Sequence, residues 1–248
     1  MLPDFWHMGR KVVQELRSNA TNASIECGHD VTFREFVLYN FRHVNGTWPG
    51  VVLNEHFKPI VYNCNPCKHE FDVVGKAETF TSDTELLFAS SGLLRTIPVN
   101  KQADHVMTEV KDLVEYNLDI MNKLSIHGNI AKKCLSFGII AERLWTVFQY
   151  NGYLGSEVTI PEQFIRDDRK ATKKKITKFA RQLVDVISQA RANTDRKTLA
   201  TWKKQRVESM RKAYISLSDI ELRAFQKTYA TDFTLFQYDK VPSWLRSS

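Results

Sequence analysis

Beyond residue 100 the chain reads as a succession of long amphipathic helices. Apolar residues recur at helical spacing in 102–124, 130–150, 170–192 and 195–216, so each segment presents a stripe to a core. Val106, Val110, Leu113, Val114 and Leu118 form one stripe; Leu135, Ile139, Leu144, Val147 and Phe148 form another. Gly152, Gly155 and Pro161 break the chain between the second and third helices, as residues that punctuate regular structure do. A last helix is predicted to begin near Ser218 and to run through Leu222, Phe225 and Tyr229, with Glu221 at capping-box spacing from Ser218.

The first hundred residues are built from shorter pieces. Residues 5–20 predict a helix with Val12, Val13 and Leu16 on one face, followed by a polar break at Asn19–Ser24. Asp30 is placed to cap a helix in which Phe33, Phe36 and Val37 share a face. Gly46, Pro49 and Gly50 mark a loop. Phe71-Asp-Val-Val-Gly75 is a short apolar run ended by glycine and predicts a buried strand. Thr81 to Phe88 predicts another helix, with acidic residues in its first turn where the helix dipole favours them, and Gly92 ends it. Internal repeats and low-complexity tracts are absent from the sequence.

Composition narrows the picture only a little. A chain of 248 residues, 43% hydrophobic and 25% charged, can bury one large core or two small ones. Ten glycines in all argue against a protein built on glycine-rich loops. The net charge of +7 favours an anionic partner, whether nucleic acid, anionic lipid or acidic polysaccharide, but it equally describes a soluble surface with no such partner. The basic positions cluster at Arg169, Lys170, Lys173, Lys174 and Lys175, and again at Lys203, Lys204, Arg206, Arg211 and Lys212. Such helix faces can bind chondroitin or RNA; the preferred reading is a solvated face balanced by Asp167, Asp168 and Asp185. Trp202 beside a basic helix does not by itself argue base stacking.

The signals for compartment conflict. No apolar run approaches the roughly 20 residues of a membrane-spanning helix, and the opening MLPDFWHMGRKVVQEL lacks the pattern of a signal peptide. Taken alone, these point to the cytosol. The sequons at Asn19, Asn22 and Asn45 point instead to a secretory lumen, with an anchor lying upstream of these residues. The four cysteines, Cys27, Cys64, Cys67 and Cys134, can pair in three ways in an oxidising compartment. In the cytosol Cys27 and Cys134 would be core thiols.

Candidate chemistry concentrates between Asn54 and Glu78. A Cys-x-x-Cys pair acts in redox chemistry when it opens a helix after a strand, a setting the neighbouring sequence does not provide. A zinc site would recruit His56 and His69 to Cys64 and Cys67, but no second Cys-x-x-Cys supports it. His56 either lines a groove for a polar ligand or packs beside Phe57 with both nitrogens satisfied, and the packed reading is preferred. Glu78 orients Lys76 or serves as an ordinary capping or ion-pair carboxylate.

The order of these residues carries a resemblance. Asn54-Glu55-His56-Phe57 is followed by Cys64-x-Pro66-Cys67 and then by Phe71-Asp72-x-Val74-Gly75-Lys76-x-Glu78. Upstream stand Asn19-Ala-Thr21 and Asp30-Val31-x-Phe33-x-x-Phe36-Val37. Near the C-terminus stand Tyr229, Asp232, Phe233, Phe236 and Tyr238, then Val241-Pro-Ser. This set resembles the Golgi carbohydrate sulfotransferases, most closely their chondroitin 4-O-sulfotransferase-like branch. Ala77 stands where that family prefers an aromatic residue.

The resemblance implies an α/β sulfotransferase fold of P-loop-like parentage, represented here by a mostly helical C-terminal part with one or two strands. It divides the chain into a C-terminal portion of the sulfotransferase domain at 1–99, a helical insertion at 100–205, and a terminal helix and tail at 206–248. It implies transfer of a sulfuryl group from the co-substrate PAPS to a hydroxyl of a glycosaminoglycan-type sugar, N-acetylgalactosamine 4-O, with a glycosaminoglycan or glycoprotein glycan as partner and neither nucleic acid nor metal. The family's two donor loops, a Pro-Lys-x-x-x-x-x-Trp-Lys-Arg-like string and an Arg-x-Pro-Phe-x-Arg-Leu-like string, do not occur in this sequence. No catalytic, cofactor-binding or metal residue is therefore assigned, and the isolated chain is expected to be inactive. By the same resemblance His56 is the substrate candidate, Cys64 and Cys67 are disulfide candidates, and Asn19 and Asn45 are glycosylation sites. The protein is expected in the Golgi lumen, on a membrane anchor lying upstream. The alternative is a non-catalytic glycan-binding or scaffold relative that lacks the donor site.

Overall fold

Helical periodicity beyond residue 100 translates directly into a core. In the computed structural model, which describes residues 6–44, 55–92, 105–127, 134–166 and 173–242, Val110, Val114 and Leu118 are fully buried on helix α6 (His105–His127). They pack with Phe137, Ile140, Ala141, Leu144, Trp145 and Phe148 of α7 (Phe137–Tyr150). The short α8 (Glu162–Ile165) adds Phe164, α9 (Lys173–Ala192) adds Phe179, Leu183 and Ile187, and α10 (Arg196–Ile215) adds Trp202. The buried stripe of α7 is rotated from the expected one: Ile139 and Val147 are only half-buried, while Ile140, Ala141 and Trp145 take the inner positions. Helix α7 starts at Phe137, where the Ser136 hydroxyl accepts the Ile139 N–H. Asp195 caps α10 in the same way, through the N–H groups of Lys197 and Thr198.

The chain divides into two compact units. One comprises residues 1–39 and 104–219, the other residues 40–103 and 220–248. These units cut across a linear division at residues 99 and 205. The N-terminal helices α1 (Trp6–Leu16) and α2 (Asn22–Cys27) share a unit with the helical stretch. A disulfide between Cys27 and Cys134, with Cα atoms 5.5 Å apart and the cysteines 107 positions apart in sequence, fastens α2 to that stretch within the unit.

In this first unit the entry to α3 (Phe33–Val44) differs from the expected Asp30 cap. Thr32 and Glu35 form a capping box: the Thr32 hydroxyl accepts the Glu35 N–H, and the Glu35 carboxylate accepts the Thr32 N–H. Asp30 is drawn instead to Arg17 at 2.6 Å and to the Ser24 hydroxyl at 2.7 Å. Arg17 also grips both Glu35 oxygens at 2.7 Å. That guanidinium holds the Glu35 carboxyl down at about 2, against the upward pull of its burial. Burial pulls the Asp30 carboxyl upward too, but hydrogen bonds from Ser24 and Arg17 outweigh it and leave the group below its ordinary range.

The second unit contains a 3₁₀ turn at Glu55–Phe57, the short helix α4 (Ile60–Cys64), a 3₁₀ turn at Ala77–Thr79 leading into α5 (Phe80–Ser90), and the C-terminal helices α11 (Asp219–Thr228) and α12 (Ala230–Leu235). It corrects one expectation. Phe71–Gly75 forms no strand, and Phe71, Val73 and Val74 are each about half exposed. A strand needs a neighbour for its N–H and C=O groups, and no described residue of the chain is in a β-ladder. The sulfotransferase-type sheet is thus not among the described residues, which are helical or irregular.

Candidate functional site

The two signature segments, some 170 residues apart, meet in the second unit. Asp232, on α12, is buried, and its carboxylate accepts the backbone N–H groups of Ile60 at 2.6 Å and Val61 at 3.0 Å. Those are orphan donors of the first turn of α4. Pro59 stands at the cap position and has no side-chain oxygen to take them. The aspartate of the C-terminal motif therefore supplies, from a remote part of the chain, the cap that the local sequence lacks. Beside it, the Tyr229 hydroxyl donates to the Phe57 carbonyl at 2.7 Å, and the Asn63 amide donates to the Glu55 carbonyl at 2.7 Å. The turn carrying His56 is thus tied from both sides.

A second set of contacts holds the turn at Lys76–Thr79. The Tyr238 hydroxyl donates to the Glu78 carboxylate at 3.0 Å, and the Lys76 ammonium lies 5.0 Å from the Tyr238 ring centre, a cation–π contact. The same ammonium reaches the Gln237 carbonyl at 3.4 Å. Desolvation, then the hydrogen bond to Glu78, pushes the Tyr238 phenol up. Asp83 accepts from the Thr79 hydroxyl at 2.6 Å and the Lys76 N–H at 2.9 Å, and the Thr79 bond in particular lowers its carboxyl. Phe225 of α11 packs against Phe41, Tyr229 and Phe233 and backs this arrangement with aromatic contacts.

The structure distributes the expected site residues unevenly. His56 is exposed, and its ring makes a tilted contact with that of Phe57, with centres 6.3 Å apart. Asn54 and Asn45 lie outside the described residues. Asn19 is exposed, on the turn before α2, where Thr21 caps the helix through the Ser24 N–H. Cys64 and Cys67 are both free, exposed thiols. The disulfide expectation for them is corrected: Asn65 in a left-handed conformation turns the chain sharply between them, and the bond forms between Cys27 and Cys134 instead. No cluster of three or more metal-ligating side chains occurs among the described residues, which leaves His69 and the Cys-x-x-Cys pair without a zinc geometry.

Sequence reasoning missed the pairing of Cys27 with Cys134 and the capping role of Asp232. The second had a signal: a proline opening a short helix leaves amide donors for which a carboxylate must be found elsewhere. Among the described residues no helix is long and apolar enough to cross a membrane.

Against this geometry, the similarity to known proteins is specific. The sulfotransferase family matches residues 3–124, just under half of the chain and running into α6. Carbohydrate sulfotransferase 11 of Rattus norvegicus is 35% identical over 86 residues, covering 34% of this chain and 24% of that protein. Carbohydrate sulfotransferase 11 of Danio rerio is 37% identical over 76 residues, covering 31% of this chain and 21% of that protein. Carbohydrate sulfotransferase 14 of Danio rerio is 24% identical over 131 residues, covering 53% and 34% respectively. The matched part therefore spans between a fifth and a third of these relatives' length. No solved structure matches the chain. The 229–242 segment lies outside the family match; the bonds of Asp232 and Tyr229 and the contacts of Gln237 and Tyr238 with Lys76 and Glu78 attach it to the matched part.

A sulfotransferase draws its sulfuryl group from PAPS, whose phosphates need a cradle of backbone N–H groups with Lys or Arg at a strand–helix turn. Among the described residues no strand leads into a helix. The described residues do not fit the donor, so no chemical step is assigned to them through it.

Proposed function

We propose that this chain is part of a PAPS-dependent carbohydrate sulfotransferase acting on a hydroxyl of a glycosaminoglycan-type sugar, the 4-hydroxyl of N-acetylgalactosamine in chondroitin. One observation carries the proposal. The segment within the sulfotransferase family match is held in place, at Ile60 and Val61, by the aspartate of the C-terminal motif that the resemblance to carbohydrate sulfotransferases singles out. Two separate motifs that interlock argue for one inherited site. Within it, the exposed His56 is the side chain proposed to meet the acceptor sugar.

In the reaction, the protein's work is to align the sugar oxygen with the sulfur and to neutralise charge on the leaving phosphate, as in phosphoryl transfer. The donor-binding part is proposed to lie outside these 248 residues. Uncovered apolar side chains at Phe71, Val73, Val74, Phe80 and Leu86 support this, because a larger domain would cover such a patch. A Golgi-lumenal location is proposed as well. The long-range disulfide supports an oxidising compartment, and Asn19 is accessible to glycosylation.

The test compares the 248-residue chain with the full product of its genomic locus, using radiolabelled PAPS and desulfated chondroitin. The expected result is transfer by the locus product and none by the chain alone. Transfer by the chain alone would show that the donor site is here after all. Absence of transfer by either would leave the second reading, a non-catalytic glycan-binding relative.

A further inference from the structure

The first unit carries a basic cleft that the sulfotransferase reading does not use. Its volume is about 570 Å³, and it opens between the start of α6, the turn after α7 and one face of α10. That volume is in the range of a small-ligand site, far larger than a single inorganic anion needs. Four cations line it: Arg191 at the end of α9, and Arg196, Lys203 and Arg206 along α10. The last three recur at intervals that keep them on one helix face. All three are exposed, and none makes an ion pair with a described residue. Glu109 is the sole carboxylate in the lining, and the Tyr153 hydroxyl donates to it.

The cleft is preformed. Gly152 has φ +71°, and a Cβ there would stand 2.2 Å from the Trp202 carbonyl, so the turn after α7 lies against α10 as closely as backbone allows. The Gln205 amide donates to the carbonyls of Gln149 and Leu154 at 2.8 Å, and its oxygen accepts the Ser156 N–H at 2.9 Å. Arg191 donates to the Tyr153 carbonyl at 2.9 Å. Trp202, buried at 3% exposure, bonds Glu157 at 2.8 Å. The cations are therefore presented from a fixed wall, and a ligand pays little to order them.

We propose that this cleft binds a short stretch of acidic oligosaccharide through its carboxylate or sulfate groups. Guanidinium forks match both groups bidentately, and cations strung along a helix face suit a ligand with several anionic groups in a row. Single-stranded RNA is the competing polyanion, but it relies on aromatic platforms for its bases. The cleft offers one phenol ring, Tyr153, whose hydroxyl is committed to Glu109, and the small His105 imidazole, while the large indole of Trp202 is buried. The choice of a sugar chain rests on the proposed sulfotransferase reading. In that setting the cleft would hold sugars of the acceptor chain other than the reacting one.

The test is fluorescence anisotropy on the full chain at 50 mM salt with three labelled probes: a chondroitin sulfate hexasaccharide, a neutral N-acetylglucosamine hexasaccharide and a ten-nucleotide RNA. The sulfated probe is expected to bind and the neutral one not. Replacing all three α10 cations (Arg196→Gln, Lys203→Gln, Arg206→Gln) should weaken binding at least ten-fold without moving the melting temperature. Ala200→Glu, at an exposed lining position on the same face, should weaken it comparably, whereas Lys174→Gln with Lys175→Gln, on exposed positions outside the cleft, should not. The proposal falls if wild type does not bind the sulfated probe, if the Lys174/Lys175 variant loses as much as the α10 variant, or if RNA binds equally through the same three cations. Sulfate transfer by the locus product without cleft binding overturns the cleft alone. Cleft binding without any transfer overturns the transferase reading and supports the cleft.

Discussion

The two units spend their apolar residues in opposite ways. In the first, fifteen buried side chains form one continuous cluster running through α6, α7, α9 and α10. In the second, Phe41 and Pro59 are the apolar side chains that are buried among the described residues, while Tyr62, Phe71, Phe80 and Leu86 are half or more exposed. The second unit is held by specific polar contacts instead, chiefly the Asp232 cap, the Tyr229 bond and the Tyr238–Glu78 pair. Hydrophobic burial stabilises broadly and tolerates imprecision. Directional bonds contribute less each, but they fix where a motif sits. The self-sufficient unit is thus the one that lies mostly outside the family match, and the unit carrying the family's signature relies on directional bonds.

This contrast can be broken by mutation. Phe148→Ala, in the fully buried cluster, is expected to cost about 3–5 kcal/mol in urea denaturation; a loss under about 1 kcal/mol would deny the first unit its core. Joint replacement of Cys27 and Cys134 by alanine frees a loop of 107 residues, and about 2–4 kcal/mol should go with it, read as a lower midpoint without reductant.

Acid acts on the same unit. The Glu35 carboxyl is depressed from 4.5 to about 2, so its contribution is complete above pH 4.5 and disappears as pH falls through the folded value. Partial exposure discounts the shift to about 2 kcal/mol. Glu35→Gln should flatten the stability–pH curve between pH 5 and 2, and an unchanged curve would remove the Arg17–Glu35 pair as a source of stability.

In the second unit Asp232→Asn keeps the shape but turns one acceptor oxygen into a donor facing an amide. A loss of about 1–2 kcal/mol is expected, visible as faster hydrogen exchange at the Ile60 and Val61 amides with those of α7 unaffected. Smallest of all, Phe80→Ser, at 69% exposure, should stay within about 0.5 kcal/mol of wild type. A larger drop would mean that this face is already covered in the isolated chain.

What the sequence made readable divides along the same line. The 3.6-residue period of Val110, Val114 and Leu118 is enforced by a core the chain itself contains, so pattern and burial agree. Phe71–Gly75 has the composition of a strand, but strand formation depends on a partner that composition cannot supply, and the segment is irregular and open. Val73 therefore lies in no β-ladder, although Tyr238 does pack beside the neighbouring Lys76–Glu78 turn. Cys64 and Cys67 stood out through their spacing, yet pairing is decided by which Cα atoms the fold brings near, and that singled out Cys27 and Cys134. Both motif segments, 55–78 and 229–238, were visible in the sequence; that one carboxylate joins them through two amides was not.

The cross-link from residue 27 to residue 134 turns everything between them into a covalent ring. A protease that nicks this ring once yields two pieces that migrate together until a thiol reagent is added. The stretch bearing His56 and Lys76 lies wholly inside that ring, so damage to the signature region would be invisible on a non-reducing gel while transfer or binding had already been lost.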